Sequence, residues 1–560
     1  MKTPAKRQTG AKDERAERLI ARNDGLKSDR GTWDTLWQDI ADYVQPRKSE
    51  ITDRKTHDVA GFTDKLFNLT AIRSNQVLAS GQMDYLFSGR WFSYDPPPEV
   101  KDEAARTWYQ ACTEVTAREL ARSNWNLEVH EMLLDRGGFG TAAILCEEGT
   151  RRFLNFVKFD VGTFSVCEDH EGIADTLIRE FEMTARQAKQ KFGEEALGPI
   201  LRKACDDPKK CDQKFKFIHG IYPREEGEYD PKKVDGPNKP IASCYVSIDD
   251  RCVVKEDGYF EQPHAVSRFL KWGSAPYGYS SSIEALPMVK QVNFIEKNMD
   301  ALAEIKAFPR ILIPDGMEGD IDLAAGGATI FDPNAPNGAM PKEWGTAGEY
   351  NIGKERIEMK DKAIREAYHV DLFQMLQQIE REMTAFEVQQ RLAEKVTAFS
   401  PTFYRLQVEV TNPILVRVFN LLFRAGKFPE PPPSVFVDAG DGMAAVAVPE
   451  VTLTSKLAMA IKAAENQAFG QMIAILSPIA AVNPEVLDNW DMDKAGRGIG
   501  RNLGVPTDWE RSEDDVAAIR EGRAKAQEQA NAIALAQGGA KAAKDASAAS
   551  PEVRQAMLGK

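Results

Sequence analysis

Few residues in this chain have both the type and the spacing that catalysis or ligation needs. Asp491 and Asp493 form a close acid pair of the kind that can hold a divalent cation, but such a site needs further oxygen ligands and no histidine lies nearby in sequence. The six histidines are scattered, and none stands four residues from another as helical metal ligands do. The seven cysteines, Cys112, Cys146, Cys167, Cys205, Cys211, Cys244 and Cys252, are odd in number and mostly far apart, without zinc-ribbon spacing. That usage suits free thiols in a reducing compartment. The glycine-rich run GGFGTAAILCEE from Gly137 lacks the lysine of a phosphate-cradling loop and the spacing of a dinucleotide fingerprint, so it reads as a turn into a strand. No Gly-Lys-Ser or Gly-Lys-Thr occurs anywhere, which removes the core of a phosphate-loop ATPase. A two-metal nuclease needs several converging carboxylates, and one close pair falls short of that. The expectation is a protein with no catalytic residue, no metal and no cofactor, one that works by geometry.

Length and charge set the frame for that geometry. With 560 residues, 42% hydrophobic and 28% charged, the chain can bury a large core in two to four domains or subdomains. A net charge of −13 argues against gripping nucleic acid over a wide surface, which needs clustered Lys and Arg. It does not argue against a duplex sliding past, since each phosphate contact would hold such a duplex back. No run of 18 apolar residues exists; the nearest, Pro413 to Phe423, carries Arg417, so no membrane span is expected and a membrane pore is disfavoured. The N-terminal stretch MKTPAKRQTGAKDER has charges but no apolar segment, unlike a secretory signal, and is expected to be mobile.

The elements that must position any site can be read in order. A helix is expected from near Asp13, with Trp33, Leu36, Trp37, Ile40 and Val44 on one face and Pro46 as its stop. Residues 64–90 read as a second long helix, WFSYDPPP as an aromatic strand, and residues 100–135 as helical again. From Arg151 to Pro276 short strands dominate (FLNFVKFD, GTFSVCED, IASCYVSID, RCVVKEDGYF), with a short helix after Thr184 carrying Ala185, Ala188 and Phe192. The charged segment YPREEGEYDPKKVDGPNKP is expected to be a surface loop. Beyond it, Met288, Val292, Ile295, Met299, Leu302 and Ile305 recur at intervals of 4, 3, 4, 3 and 3, close to a coiled-coil seam. Two partners for that seam are open: the chain's own Glu355–Val370 helix, or a second copy. Between the helices lies a Gly- and Pro-rich stretch with short strands expected at Ile311–Ile313 and Thr329–Phe331. The result is a helical hairpin with a small β module at its tip.

The stretch from Met383 to Pro433 holds two more helices. In the first, Phe386, Leu392, Val396 and Phe399 mark one face and Thr384 with Glu387 makes a capping box. Pro401 is expected to break or kink it. In the second, Asn412 is expected to cap and Pro413 to sit at the first helical position, with Gly426 at the end and four prolines within Pro429–Pro433. Later, SVFVDAG reads as a strand, SKLAMAIKAAENQAFGQMIAILSPIA as a helix, VAAIREGRAKAQEQANAIALAQ as a weak Ala-rich helix, and AKAAKDASAAS as disordered.

The order MTA-x-EV-x-x-R-x-x-EK, followed by a Leu- and Arg-bearing helix ending R-A-G-x-x-P-x-P-P-P, resembles the head-to-tail connector (portal) family of short-tailed bacteriophages. The resemblance runs from about Leu19 to about Glu513. It takes in the Trp-rich opening helix, the F-G-T-A-A strand and the ending in which an acidic D-x-D precedes a G-V-P turn. What it implies is an α+β, mostly helical portal-type fold with wing, stem, clip and crown, assembling into a ring with a central channel. Residues 1–280 would be N-terminal helices and the α/β wing, 281–310 the outgoing stem helix, 311–350 the clip and 351–370 the returning stem helix. Residues 371–382 would be the tunnel loop, 383–412 a long wing or channel helix, 413–512 the crown, and 513–560 a C-terminal helix with a disordered tail. In the tunnel segment Gln374, Gln377, Gln378 and Arg381 could touch phosphates without reading sequence; helical continuation with a solvated face is the equal alternative.

The implied partners are further copies of the chain in a dodecamer, double-stranded DNA in the channel, the terminase motor, the capsid protein, and tail adaptor and internal ejection proteins. The implied place is the portal vertex of the virion, with assembly in the host cytoplasm. A packaging enzyme, ATPase or nuclease, of the same pathway is the alternative.

Overall fold

The structure is a computed structural model describing residues 13–48, 51–52, 66–100, 102–225, 227–230, 233, 235–308, 310–312, 342–344, 350–379, 399–438, 444–455, 469–470, 472–480, 483, 486, 489–502, 511 and 513–548. It divides into two compact units, Met1–Ile461 and Lys462–Lys560. It is α+β and mostly helical.

In the first unit, α1 (Glu14–Tyr43) starts where expected, with the Asp13 carboxylate accepting from the Arg15 N–H. Its two halves do different work. Ala16 and Leu19 pack with Ile178, Ile218, Cys244 and Val246 over one face of a sheet, while Trp37, Ile40 and Val44 enter the main core. Between them the buried Arg30 pairs with Asp34 (2.8 Å) and donates to the Gly162 carbonyl (2.8 Å), locking helix to sheet.

That sheet is five-stranded and antiparallel: β4 (Phe164–Cys167), β5 (Thr176–Thr184), β6 (Lys214–Pro223), β7 (Ile241–Ser247) and β8 (Cys252–Tyr259), in that order. Its other face is covered by α5 (Ala185–Phe192) and α6 (Pro199–Asp206), through Ala185, Ala188, Leu201 and Phe217. The capping box at Thr184 and Gln187 fixes the start of α5. Strands β5 and β6, the centre of the sheet, were absent from the sequence reading.

A smaller antiparallel sheet joins β2 (Thr141–Glu148) to β3 (Leu154–Phe159) and β9 (His264–Arg268). It lies against the main helices: α2 (Thr70–Phe87), α3 (Glu103–Arg122) and α4 (Trp125–Phe139). The glycine-rich run is the end of α4 and its stop. A Cβ on Gly137 or Gly138 would run into Asn75 or Gln45, and Gly140 turns the chain at φ 81°. Strand β1 (Phe92–Asp95) pairs with Glu450–Leu453, so residues far apart in sequence share one ribbon. Around it, Tyr94, Trp108, Tyr109 and Phe428 surround Phe419, with the Tyr94 hydroxyl donating to the Leu415 carbonyl (2.8 Å).

The separate helix start expected at Asn412 and Pro413 is absent. Residues 399–406 are helical, Gln407–Thr411 widen to a π-turn, and the helix continues as Asn412–Arg424. Asn412 therefore caps nothing; its N–H bonds to the Gln407 carbonyl, five residues back. A proline inside a helix removes a donor and crowds the carbonyl four residues back, and the wider turn accommodates both. The capping box at Thr384 lies outside the described residues, as do Phe386, Leu392 and Val396.

In the second unit, helices at 472–480, Met492–Asn502 and Glu513–Ala548 are described. The last runs through the stretch expected to be disordered, consistent with the high helix propensity of alanine. Asp491 accepts from the Lys494 N–H (3.0 Å), and Asp493 binds Arg520 through two bonds (2.6 and 2.7 Å), so this acid pair has structural partners.

Candidate functional site

The residues read as the seam lie on α7 (Ser281–Ala307), which leads out of the core, and α8 (Tyr350–Ala367) leads back beside it, with Met299 against Gly353. Ser280 caps α7, accepting from the Ile283 N–H (3.1 Å) and donating to the Gly138 carbonyl (2.6 Å). Three cross-links fix the direction of the pair. Ser282 meets the Tyr368 hydroxyl (2.6 Å), Lys360 donates to Gln291 (2.5 Å), and Met299 lies over Gly353. The helices are antiparallel, and the open choice of seam partner is answered at Met299 by the chain's own returning helix.

Burial falls along the pair. Val289, Val292 and Asn293 are buried, but no residue from Phe294 to Phe308 is, and on α8 none from Asn351 to Ala363 is. Of the seam, Val292 is buried and Met288, Ile295, Met299, Leu302 and Ile305 are half-buried. The outer half of the hairpin is thus held by two helices with one shared seam. At its base Asn68 donates to both Glu296 (2.8 Å) and Asp361 (3.2 Å), and burial, aided by Asp361 and Asp300, holds the Glu296 carboxyl above its ordinary range. Beyond α7, Arg310–Leu312 pairs with Lys342–Trp344. The expected strand at Ile311 therefore has its partner at Glu343, while Thr329–Phe331 lies outside the described residues.

After α8 the chain turns at Tyr368 and His369, the latter at φ 53°, into α9 (Val370–Ile379). The segment read as the tunnel loop is therefore helical through Ile379. Leu372 and Phe373 are buried, and the Phe373 ring fills the space over Gly81 of α2, which has no side chain to block it. Gln374 is exposed on this docked helix. Gln377 and Gln378 lie on α9 with side chains outside the described set, and Arg381 lies outside the described residues. Gly81 and Gly353 were both missed from sequence; a lone glycine within an apolar-patterned helix is the signal that marks such close approach.

Among the described residues no cluster of three or more His, Cys, Asp or Glu is gathered as a metal would require, and no helix is long and apolar enough to cross a membrane. All seven cysteines are free thiols.

The chain matches the family described as "Bacteriophage head to tail connecting protein" over residues 16–509. It belongs to that family. Two relatives match along nearly their whole length. One is a "Probable portal protein" of Bordetella phage BPP-1, 27% identical over 93% of each chain. The other is the "Portal protein" of Salmonella phage epsilon15, 27% identical over 94% of each. For a head-to-tail connecting protein, a two-helix hairpin standing clear of its own core is the natural candidate for the working surface.

Proposed function

We propose that this protein is the portal subunit of a phage, copies of which stand around an axis at one capsid vertex so that double-stranded DNA is packaged and later ejected through the hole. The observation that carries this reading is the hairpin of α7 and α8: beyond Phe294 its helices have no buried residue, a construction that needs further copies beside it to cover its flanks. Membership of the connecting family supports it.

In this reading α7 and α8 are the stem around the channel, residues 311–350 the clip, 371–382 the constriction and 383–412 a long helix behind it. Residues 1–280 form the wing with its helices, and the crown follows from 413. The ring is a dodecamer. The clip docks the terminase motor and then the tail adaptor proteins, the outer wall meets the capsid protein, and internal ejection proteins associate on the inside. Assembly takes place in the host cytoplasm, and the finished ring remains in the virion. Gln374, Gln377, Gln378 and Arg381 touch phosphates weakly and without sequence preference, as a sliding duplex requires. The protein makes and breaks no bonds; the motor supplies the work.

Negative-stain imaging of the purified chain tests this. Rings with a central opening of duplex width are expected. Compact monomers that turn over nucleotide would overturn the reading.

A further inference from the structure

Two cations beside the five-stranded sheet stand without acceptors. Arg179 on β5, His219 on β6 and Tyr245 on β7 are cross-strand neighbours, so they share one face, the face that α5 covers. The Arg179 guanidinium lies 4.5 Å from the centre of the Phe159 ring on β3 and 5.0 Å from that of Phe181 on its own strand. Its Nε is buried and has no hydrogen-bond acceptor. From α5 the Lys191 ammonium reaches over the Tyr245 ring at 4.7 Å, with the Phe192 and Phe181 rings at 5.7 and 5.9 Å. Tyr245 is itself fixed by His219, whose ring stacks on it at 3.9 Å. Among the described residues neither cation makes an ion pair or donates a hydrogen bond. By contrast Arg30 meets Asp34, and Lys158 meets Asp135 and Asp160. Burial holds the pKa of both Arg179 and Lys191 down, and Arg179 is one of the charges that depress Lys191; Lys255 is another. Two carboxylates act on the pair from a distance: Glu147 of β2 on both cations, and Asp160, already bound to Lys158, on Arg179.

We propose that Arg179 and Lys191 together form an anion site that takes a phosphate group. The rings hold each cation in place through its charge and leave its donors free. Arg179 is half-buried, so its N–H edge can be reached, and Lys191 stands at the exposed rim. A planar fork beside a point charge suits a tetrahedral oxyanion, whose several oxygens accept from both at once. Partial burial among aromatic rings strengthens each of those bonds beyond what a solvated lysine offers. An anion seated here also relieves the repulsion between the two cations. Glu147 works the other way, because its carboxylate repels any anion that the pair attracts. A free phosphate ion and a phosphate of a nucleic-acid backbone share the chemistry that this site recognises.

Calorimetric titration of the full-length chain with inorganic phosphate, at an ionic strength held constant with sodium chloride, tests this. Saturable binding is expected. Arg179→Gln and Lys191→Gln should each weaken it about tenfold, the value of one charge-assisted hydrogen bond. Glu147→Gln should tighten it about threefold by removing a repulsive charge. Arg186→Gln, at an exposed arginine of the same helix that already faces Asp212, should leave it unchanged. Lys191→Gln lies at the rim, so it remains readable if Arg179→Gln fails to fold. A short DNA duplex added as competitor separates the two sources: it abolishes the phosphate signal if a backbone phosphate enters the site and leaves it intact if the site takes only the free ion. No saturable binding, equal binding by wild type and Lys191→Gln, or weaker binding by Glu147→Gln would each overturn the proposal.

Discussion

The sulfur of Met299 lies where a Cβ on Gly353 would have to be, so the two helices of the hairpin meet tightly at a position with no side chain. Gly353→Leu should push the pair apart and cost about 1–3 kcal/mol, the usual penalty of overpacking. Met299→Ala vacates the space. The double variant should therefore be more stable than the sum of the two losses predicts, by about 1 kcal/mol or more in a denaturant series. Strict additivity would show that the two residues do not share this contact.

Glu409 sits in the π-turn and accepts from the Arg268 main-chain N–H (2.7 Å), the Arg268 Nε (2.8 Å) and Arg405 (2.9 Å). Glu168 binds the far side of the same guanidinium. Glu409→Ala leaves a mostly buried arginine and an amide short of partners, and should cost about 3–5 kcal/mol. Glu409→Gln retains an acceptor and should lose less than half as much. Equal losses, read from urea midpoints, would mean that packing rather than charge holds the turn.

His264 is buried on β9 beside Gln262, and burial pushes its imidazole down to about 4, with a hydrogen bond to Ala174 opposing the shift. Burial likewise holds His219 well below its ordinary value, helped by Lys191 and Arg179. Both are neutral in the folded state and gain a proton on unfolding. The unfolded chain binds more protons below about pH 6.5, so stability is complete above that pH and falls as pH drops toward 4. His264 alone accounts for at most about 3 kcal/mol of this fall. His264→Gln should flatten the stability curve between pH 6.5 and 4 while lowering stability at pH 8; an unchanged slope would rule out His264 as its source.

Gly140 and Gly193 share a φ of 81°, but a Cβ on Gly140 would strike the Gly278 carbonyl whereas one on Gly193 meets nothing. Gly193, at ψ 154°, lies in a region that glycine alone enters readily, so Gly193→Ala should lose only that backbone strain, about 1–3 kcal/mol. Gly140→Ala should lose at least twice that, because two backbones must separate. Thermal melts of the two variants compare them directly, and matching losses would deny the close approach.

What the sequence disclosed depended on how many faces each element presents. The Trp33–Val44 pattern was legible because that part of α1 has one buried face, and the helix of α7 because apolar residues from Met288 to Ile305 recur at intervals of three and four. Strands β5 and β6 were missed, although Lys214 and Lys216 alternate with Phe215 and Phe217, because beyond Phe217 helices cover both faces and the alternation dissolves into a buried run. Asn412–Pro413 carried a start signal but lies inside a helix; the local code for a cap is the same whether or not a π-turn precedes it.

The ribbon that joins Phe92–Asp95 to Glu450–Leu453 sets a clock on synthesis. At roughly 5–20 residues per second, a ribosome needs on the order of 20–70 s after making the first strand to deliver the second. Throughout that interval the aromatic edge at Phe92 and Tyr94 awaits its mate, and a chain released early never obtains it. Unfinished copies thus carry an open strand edge that complete ones lack, a mark by which cellular proteases can remove them before they reach an assembling head.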